Sequence, residues 1–293
     1  MEAPGTVRLV PLGTGIIGPA DDLTARLAAA WRSAGEAPEA GDVLVVSSKV
    51  VALSEGRLVD LSTVTPTPEA RRLAKAHGMD PAFTQVVLSE ADRVLGGVKG
   101  ALLTLRQGAF IANAGADLSN CPPGHTILWP EDPWRSAKRL RGELARAGSP
   151  GVGVVVADSH VQPLRWGTVG MALGWAGLVG VEDARGRQDL FGRQLRITRR
   201  NVADQLASAA SLLMGEADEA VPAVLVKGLG VELPAYGEQG PADLIVGPSE
   251  CLFAPIYGPQ LLRPPRRRRA PRAGTGGKKG KKGEQGKQGK QGK

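Results

Sequence analysis

The chain has 293 residues, of which 42% are hydrophobic and 4% are aromatic, and its formal net charge is +8. This composition is ordinary for a soluble protein of mixed α and β structure. No apolar run approaches the roughly 20 residues of a transmembrane helix, the N-terminus lacks the apolar segment of a signal peptide, and two cysteines exclude a disulfide scaffold or a zinc site. We therefore expect a cytoplasmic protein that does not enter membranes.

Helical and alternating apolar patterns predict six strands and three helices. In chain order these are a strand at 7–12, a helix at 21–31, strands at 42–48, 101–105 and 109–113, a helix at 135–147, a strand at 152–158, a helix at 200–215 and a strand at 222–226. Because hairpin-like strand pairs are mixed with helices, the pattern favours an α+β fold with mixed sheets over a regular doubly wound sheet. We expect residues 1–262 to form the folded region, as one unit or as two subdomains.

The positive charge is concentrated in the last residues of the chain. From Arg263 onward there are 6 Arg and 7 Lys against one Glu, a net of +12, so residues 1–262 carry a net of −4. The segment 263–293 has no apolar residue larger than Ala and is predicted to be disordered. Such a tail can contact nucleic acid or acidic surfaces non-specifically. A dedicated nucleic-acid function is disfavoured, because no aromatic residues are interleaved for base stacking.

The first predicted strand is followed by the loop GTGIIG, residues 13–18, which matches the dinucleotide-binding pattern G-x-G-x-x-G. That site also requires an acidic residue at the end of the next strand. Here Asp42 begins that strand, and Pro19 interrupts the start of the helix that would hold a pyrophosphate. A dinucleotide site is therefore disfavoured, although the loop can still let a phosphate or a base approach the backbone.

Carboxylates follow three of the predicted elements. Asp117 lies in ANAGADLSNCP after the strand at 109–113, Asp158 follows the apolar run VGVVV, and Glu216 ends the long helix at 200–215. Each has a simpler explanation as a turn residue or a solvated helix end. Together with the oxygens of Ser159 and Asn120, they form an all-oxygen set that favours Mg²⁺ or Mn²⁺ over zinc.

Two basic residues accompany these oxygens, Lys49 at the end of the second strand and Arg165 after Pro163. Hard metal ions with basic side chains are typical of phosphoryl transfer from a nucleotide. The glycines of DSHVQPLRWGTVGMALGWAG, 158–177, indicate a backbone that closely approaches an interface or a ligand. A surface charge at Arg165 is the alternative interpretation.

Five segments, in order, resemble the coenzyme F420-0:L-glutamate ligase family. They are NAGADLSN, PEDPWRSAKRLR, DSHVQPLRWGTVGMALGWAG, DARGRQDLFGRQL and ADQLASAASLLMGEADEAVP, and the similarity extends over residues 7 to about 230. The resemblance implies a GTP-dependent ligase of α+β fold that joins L-glutamate to coenzyme F420-0 through an acyl phosphate. It also implies two divalent ions, Mg²⁺ or Mn²⁺, a K⁺ ion, and a homodimer.

The resemblance also assigns roles to individual residues. Asp117, Asp158, Ser159 and Glu216 match metal-binding positions, and Lys49 and Arg165 would stabilise the transferred charge. Nucleotide contacts are expected from the following residues: Gly15, Ile16, Ile17, Gly18, Ser48, Lys49, Asn120, Met214, Gly215 and Glu216.

Some positions depart from the family pattern, among them Leu53, Leu118 and His160. An amide ligase with another acceptor or amino acid therefore stays an alternative. A non-enzymatic nucleotide- or nucleic-acid-binding relative is a weaker one, because binding alone does not need all three carboxylates.

Overall fold

The computed structural model describes residues 6–19, 21–229 and 238–261. Its strands there are β1 Arg8–Leu12, β2 Val43–Ser47, β3 Leu58–Asp60, β4 Arg93–Val98, β5 Ala101–Arg106, β6 Ala109–Ala112, β7 His125–Ile127, β8 Gly153–Val161, β9 Thr168–Ala176, β10 Val181–Asp183, β11 Arg199–Asn201 and β12 Ala223–Lys227. The helices are α1 Leu23–Ser33, α2 Ser48–Ser54, α3 Pro68–His77, α4 Pro81–Glu90, α5 Pro133–Arg146, α6 Val202–Met214, α7 Pro241–Leu244 and α8 Ala254–Leu261. The expected α+β class is confirmed, and all six predicted strands and three predicted helices are present.

A five-stranded sheet in the order β1-β12-β2-β8-β9 forms the centre of the structure. β12 is antiparallel to both β1 and β2, while β2 and β8 are parallel. It follows that β1, β2 and β8 all point the same way and end at one edge of the sheet. In the register, Leu12 and Val46 both face Ala223, so β12 begins at this same edge.

Helices cover both faces of the central sheet. On one face α1 and α5 bury Leu27, Trp31, Leu140 and Leu144 against β2 and β8. On the other face α6 packs its buried side chains against the sheet and Trp175. The apolar spacing that predicted these three helices is the spacing of their buried faces.

The glycines of β9 allow the two flanking helices to approach closely. A Cβ atom on Gly170 would overlap the backbone oxygen of Ala207 in α6, and one on Gly174 would lie 2.9 Å from the backbone nitrogen of Trp134 in α5. The glycine-rich stretch thus does mark a close backbone contact. At these two positions the contact is helix packing within the chain.

A second, smaller core lies beside the central sheet. It contains the antiparallel sheet β4-β5-β6 with α3 and α4, and its buried side chains include Phe83, Val87, Leu102 and Leu128. The short ladder β3-β7 lies next to this unit. The chain therefore has two packed regions, and the polar residues identified from the sequence lie where these regions meet.

Within the described ranges, no helix combines the length and the apolar character needed to cross a membrane. The predicted disordered tail, 263–293, lies outside the described residues.

Candidate active site

Several loops meet at the edge of the central sheet where β1, β2 and β8 end. The backbone nitrogen of Ser47 donates to the oxygen of Pro222 at 2.8 Å, and that of Thr14 donates to the oxygen of Ala220 at 3.4 Å. These bonds join the loops after β1 and β2 to the segment that precedes β12. In open sheets this edge is where ligands commonly bind.

A cavity of about 220 Å³ lies at this edge, between the central sheet and the second core. Its walls include the apolar side chains of Ile111, Ile127 and Leu128. Its polar lining consists of Ser48, Lys49, Asn113, Asp117, Asp158, Ser159, His160 and Thr168. The structure therefore brings together five of the residues that the sequence assigned to the site: Ser48, Lys49, Asp117, Asp158 and Ser159.

Asp117 reaches the cavity from the loop that follows β6. Lys49 Nζ lies 2.8 Å from Asp117 Oδ2 and 2.8 Å from Ser119 Oγ, and the backbone nitrogen of Ser119 donates to Asp117 Oδ1 at 2.7 Å. Burial acts to raise the pKa of the Asp117 carboxyl, but the Lys49 ammonium and the Ser119 hydrogen bonds outweigh it and hold the pKa below its ordinary value. Asp117 is therefore ionised at neutral pH.

Asp158 lies on β8, beyond the buried run that crosses the sheet. Its Oδ1 accepts a 2.8 Å hydrogen bond from the backbone nitrogen of Ser159, and its Oδ2 accepts one from the indole nitrogen of Trp129. Burial nevertheless raises the pKa of the Asp158 carboxyl, since these donors and the hydroxyl of Ser48 offset only part of the desolvation. A cation bound beside Asp158 would relieve this cost.

Glu216 and Asn120 lie beside the cavity on neighbouring loops. Glu216 Oε1 accepts a 2.8 Å hydrogen bond from the hydroxyl of Thr168, which itself lines the cavity. The side-chain nitrogen of Asn120 donates to the oxygen of Ala217 at 2.8 Å. These bonds connect the Asp117 loop and β9 to the end of α6, where Gly215 forms the C-cap with a φ of +69°. Met214 is half-buried and packs on the core beneath α6.

The glycine loop after β1 occupies the same edge but does not line the cavity. Ile16 is exposed and its backbone oxygen accepts from Arg26 at 2.6 Å, whereas Ile17 is buried in the core beneath α1. The side chain of Ile17 is thus not available to a ligand. Gly15 has a φ of +64°, which suits glycine, and the nitrogen of Gly18 donates to Asp21 Oδ2 at 3.1 Å.

Arg165 lies in the exposed turn between β8 and β9 and does not line the cavity. Asp42, which directly precedes β2, lies 3.1 Å from Lys227 and thus at the opposite end of β2 from the position of a dinucleotide-binding acid. This residue therefore lends no support to a dinucleotide site, which the sequence disfavours.

The oxygens of the cavity fit a hard divalent cation, although the three predicted carboxylates do not surround one point. Over the described ranges, no group of three or more His, Cys, Asp and Glu side chains lies close enough to hold a metal ion. Asp117 and Asp158 line the same cavity with the hydroxyls of Ser48 and Ser159. Carboxylate and hydroxyl oxygens are the donors that Mg²⁺ and Mn²⁺ prefer.

The site also contains residues that the sequence did not predict: Trp129, His160 and Thr168. Burial lowers the pKa of His160, and the nearby charge of Asp204 offsets part of that effect. Trp129 follows β7 in ILWPED, a stretch with no polar spacing that would indicate a ligand site. Its indole nitrogen meets Asp158 only through the tertiary fold, since β7 pairs with β3 while β8 lies in the central sheet.

The chain was compared with protein families and with curated proteins. The sequence model described as F420-0:Gamma-glutamyl ligase matches residues 11–228. The coenzyme F420:L-glutamate ligase of Methanopyrus kandleri is 43% identical over 217 residues, which are 73% of this chain and 86% of the relative. The proteins of the same name from Methanothermobacter thermautotrophicus and Methanocaldococcus jannaschii are each 38% identical and cover 74% and 73% of this chain, with 86% and 85% of their own lengths aligned.

Proposed function

The chain belongs to the F420-0:gamma-glutamyl ligase family, and from that premise we propose that it joins L-glutamate to coenzyme F420-0 at the expense of GTP. In the proposed reaction the terminal carboxylate of coenzyme F420-0 attacks the γ-phosphorus of GTP, which gives an acyl phosphate and GDP. The amine of L-glutamate then attacks the acyl carbon. The bond to phosphate breaks, and the products are an amide between the carboxyl of coenzyme F420-0 and the amine of L-glutamate, inorganic phosphate and a proton.

The proposal rests on the charged side chains that line the cavity. In a chain of this family, two carboxylates and a lysine ammonium, Asp117, Asp158 and Lys49, line a single cavity at the edge where three strands end. Opposite charges held this close can bind both the phosphate groups and the cations that accompany them. No covalent enzyme nucleophile is required, because the reacting groups of the substrates need only be brought together.

In this proposal Asp117, Asp158 and Ser159 hold one divalent ion, Mg²⁺ or Mn²⁺, and Glu216 on the adjoining loop contributes to a second. Such ions neutralise the charge of phosphate oxygens. The position of Asp158 in the cavity wall supports its role, because a bound cation would offset the cost of burying an isolated negative charge. The requirement for K⁺ stays a prediction, as does the cytoplasmic location.

Lys49 and Arg165 are proposed to stabilise the negative charge of the transferred phosphoryl group. Lys49 Nζ already lies within the cavity, where its charge can stabilise the phosphoryl group as charge develops on it. Arg165 approaches from the exposed β8–β9 turn, so its contact with substrate would form from the solvent side.

The proposed nucleotide contacts lie along the same edge. The loop from Gly15 to Gly18 presents backbone groups, Ser48 lies next to Lys49 in the cavity lining, and Asn120 is hydrogen-bonded to the loop at 214–219. The hydrogen bonds between these loops support their acting as one surface.

A mass-spectrometric assay tests the proposed function. The purified chain is incubated with coenzyme F420-0, L-glutamate, GTP and Mn²⁺, beside Asp158→Ala and the control Asp60→Ala, which removes an exposed turn carboxylate. We expect a glutamyl mass increment with the parent and with Asp60→Ala, and none with Asp158→Ala. Hydroxylamine should trap the acyl phosphate as a hydroxamate that depends on GTP.

Two results would count against the proposal. Product formation without any nucleoside triphosphate would exclude the acyl-phosphate route. Absence of an increment with every nucleotide and with both Mg²⁺ and Mn²⁺ would exclude coenzyme F420-0 as the acceptor.

A further inference from the structure

We propose that Trp129 is a positioning residue, which holds the Asp158 carboxylate in the orientation that binds a cation. The inference rests on the proposed function, since it concerns a carboxylate assigned there to a metal ion. It adds a residue from outside the predicted site and gives that residue a measurable effect on metal affinity.

The contacts of Asp158 fix both of its oxygens. The indole nitrogen of Trp129 donates to Oδ2, and the backbone nitrogen of Ser159 donates to Oδ1 at 2.8 Å. A hydrogen bond to a carboxylate is charge-assisted and therefore stronger than one between neutral groups. With donors on both oxygens, and the Ser48 hydroxyl as a third donor, rotation of the carboxylate is restricted. Three donors leave lone-pair capacity on the carboxylate for a ligand in the cavity.

Trp129 is itself tightly held. Its side chain is 1% exposed and packs with Ile111 and Leu173. Gly115 has a φ of +70°, and a Cβ atom there would overlap the indole nitrogen of Trp129. The absence of a side chain at Gly115 is thus what leaves room for the indole to reach Asp158.

Two arginines brace the tryptophan. The guanidinium carbon of Arg106 lies 5.4 Å from the centroid of the Trp129 ring, and Arg57 Nε donates to the backbone oxygen of Trp129 at 3.1 Å. Both guanidinium groups pair with Glu90, Arg57 at 2.7 Å and Arg106 at 2.6 Å. Because Arg106 is almost fully buried, its ion pair with Glu90 is costly to break. Arg106 thus holds the face of the Trp129 ring, and Arg57 holds its backbone.

Arg106 also contacts the segment that carries Asp117, the other carboxylate of the cavity. It donates to the backbone oxygen of Ala114 at 2.8 Å, three residues before Asp117. Arg106 therefore contacts both the ring that orients Asp158 and the loop that carries Asp117. Ligands on metal ions commonly need such outer partners, whose loss lowers metal affinity about 10- to 100-fold.

The competing explanation is that Trp129 only fills space in the core. Trp175 provides the matched control, because its side chain is also 1% exposed, yet its buried indole nitrogen has no hydrogen-bond partner among the described residues. Replacement of either tryptophan by phenylalanine removes the same atoms from a buried site. Only Trp129→Phe removes a hydrogen bond to Asp158.

The experiment measures Mn²⁺ binding by the full chain, from the decrease of the electron paramagnetic resonance signal of free Mn²⁺. We expect Trp129→Phe to weaken Mn²⁺ binding about tenfold, while Trp175→Phe keeps the affinity of the parent. Equal affinities for parent and Trp129→Phe, or equal losses in both variants, would overturn the inference. A parent that does not bind Mn²⁺ would overturn it too.

A second measurement covers the case in which Trp129→Phe does not fold. In the parent labelled with ¹⁵N, the indole signal that also moves in Asp158→Ala belongs to Trp129, and Mg²⁺ should shift it. No response of that signal to Mg²⁺ would overturn the inference. Ligase activity of the parent distinguishes the two proposals. If the parent forms product and Trp129→Phe retains full Mn²⁺ affinity, the role of Trp129 is refuted and the proposed function is not.

Discussion

Lys49 contacts Asp117 and Ser119 at 2.8 Å each, and its side chain is only partly exposed. We expect Lys49→Met to lower kcat roughly 100- to 1000-fold, the usual cost of removing a group that stabilises transition-state charge. The loss of stability should be small, because ion pairs with exposed partners contribute little. Steady-state kinetics and chemical denaturation measure the two effects.

The control for this variant is Lys138→Met, which removes an exposed lysine paired with Glu238 at 3.2 Å. It should leave kcat unchanged. If Lys49→Met had the kcat of the parent, Lys49 would have no part in catalysis.

Substitution of Gly115 tests whether the indole of Trp129 needs the space that the missing side chain leaves. Gly115→Ala should lower the free energy of unfolding by about 3 kcal/mol, because the residue has a φ of +70° and the added Cβ would overlap Trp129. Gly124→Ala is the control, since Gly124 has a φ of +76° and nothing within 4 Å of the added atom. Its loss should be about 1 kcal/mol, from backbone strain alone. Equal losses in urea denaturation would show that the overlap is relieved without cost.

At the scale of single residues, the sequence predicted part of the site. Asp117 and Asp158 could be identified because each follows an apolar run of the sequence, where carboxylates are conspicuous; β8 itself continues past Asp158 to Val161. Trp129 could not be identified, because its partner lies 29 positions away and nothing in its own neighbourhood indicates a buried hydrogen bond. Ile17 lies in a loop, as predicted, but its side chain is buried in the core. The sequence therefore indicated the loop without indicating which of its side chains face away from solvent.

β12 is tied to the loop before β2 by a single lysine. Lys227 Nζ lies 3.1 Å from Asp42 Oδ2 and 3.2 Å from Glu39 Oε1, and it donates to the backbone oxygen of Ala37 at 2.7 Å. Burial acts to lower the pKa of Lys227, but the hydrogen bonds and charges of Asp42 and Glu39 outweigh it and raise the pKa above its ordinary value of 10.5. The folded state therefore favours the protonated lysine.

The pH dependence of the free energy of unfolding follows from the raised pKa of Lys227. The stabilisation is fully present below the pKa of the unfolded chain, near 10.5, and is lost as the pH rises through the higher pKa of the folded chain. We expect Lys227→Met to cost about 2 kcal/mol at neutral pH. The difference from the parent should shrink above about pH 10.5. Urea denaturation across this range measures it, and a difference that grows with pH would contradict the assignment.

At the scale of elements, the sequence predicted three helices and six strands and missed others, among them the short helix α2 and the nine-residue strand β9. α2 was missed because the apolar run VLVV is followed, after only Ser47, Ser48 and Lys49, by the short apolar run VVAL. A run of that length is too short for its periodicity to distinguish a helix from a strand. Ser47 resolves the ambiguity in the structure by capping the backbone nitrogen of Lys49. In β9, glycines in place of the usual large side chains hid a strand that is covered by helices on both sides.

At the scale of the whole molecule, two of the segments that the structure describes each expose more than one large apolar side chain. Leu164 and Trp166 lie in the β8–β9 turn, and Leu190, Phe191 and Ile197 lie between β10 and β11. Exposed apolar side chains in such numbers are typical of a protein–protein contact. They support the proposed homodimer, in which these segments would be covered.

Light scattering after size-exclusion chromatography tests the dimer. We expect a mass of twice 30.5 kDa for the parent and a monomer for the double variant Trp166→Ser and Phe191→Ser. Leu212→Ser, which changes an exposed leucine on α6, should keep the mass of the parent. A parent that stays monomeric at all concentrations would exclude the homodimer.

Asp158 belongs to the central sheet and Asp117 to a loop of the smaller core, so the cavity crosses the seam between the two packed regions. A ligand that engages both carboxylates therefore acts as a cross-link, and opening either region must release it. Its binding free energy is added to the cost of separating the two regions. Backbone amides on both sides of the seam should then become slower to exchange with solvent together, although only a few of them are near the ligand.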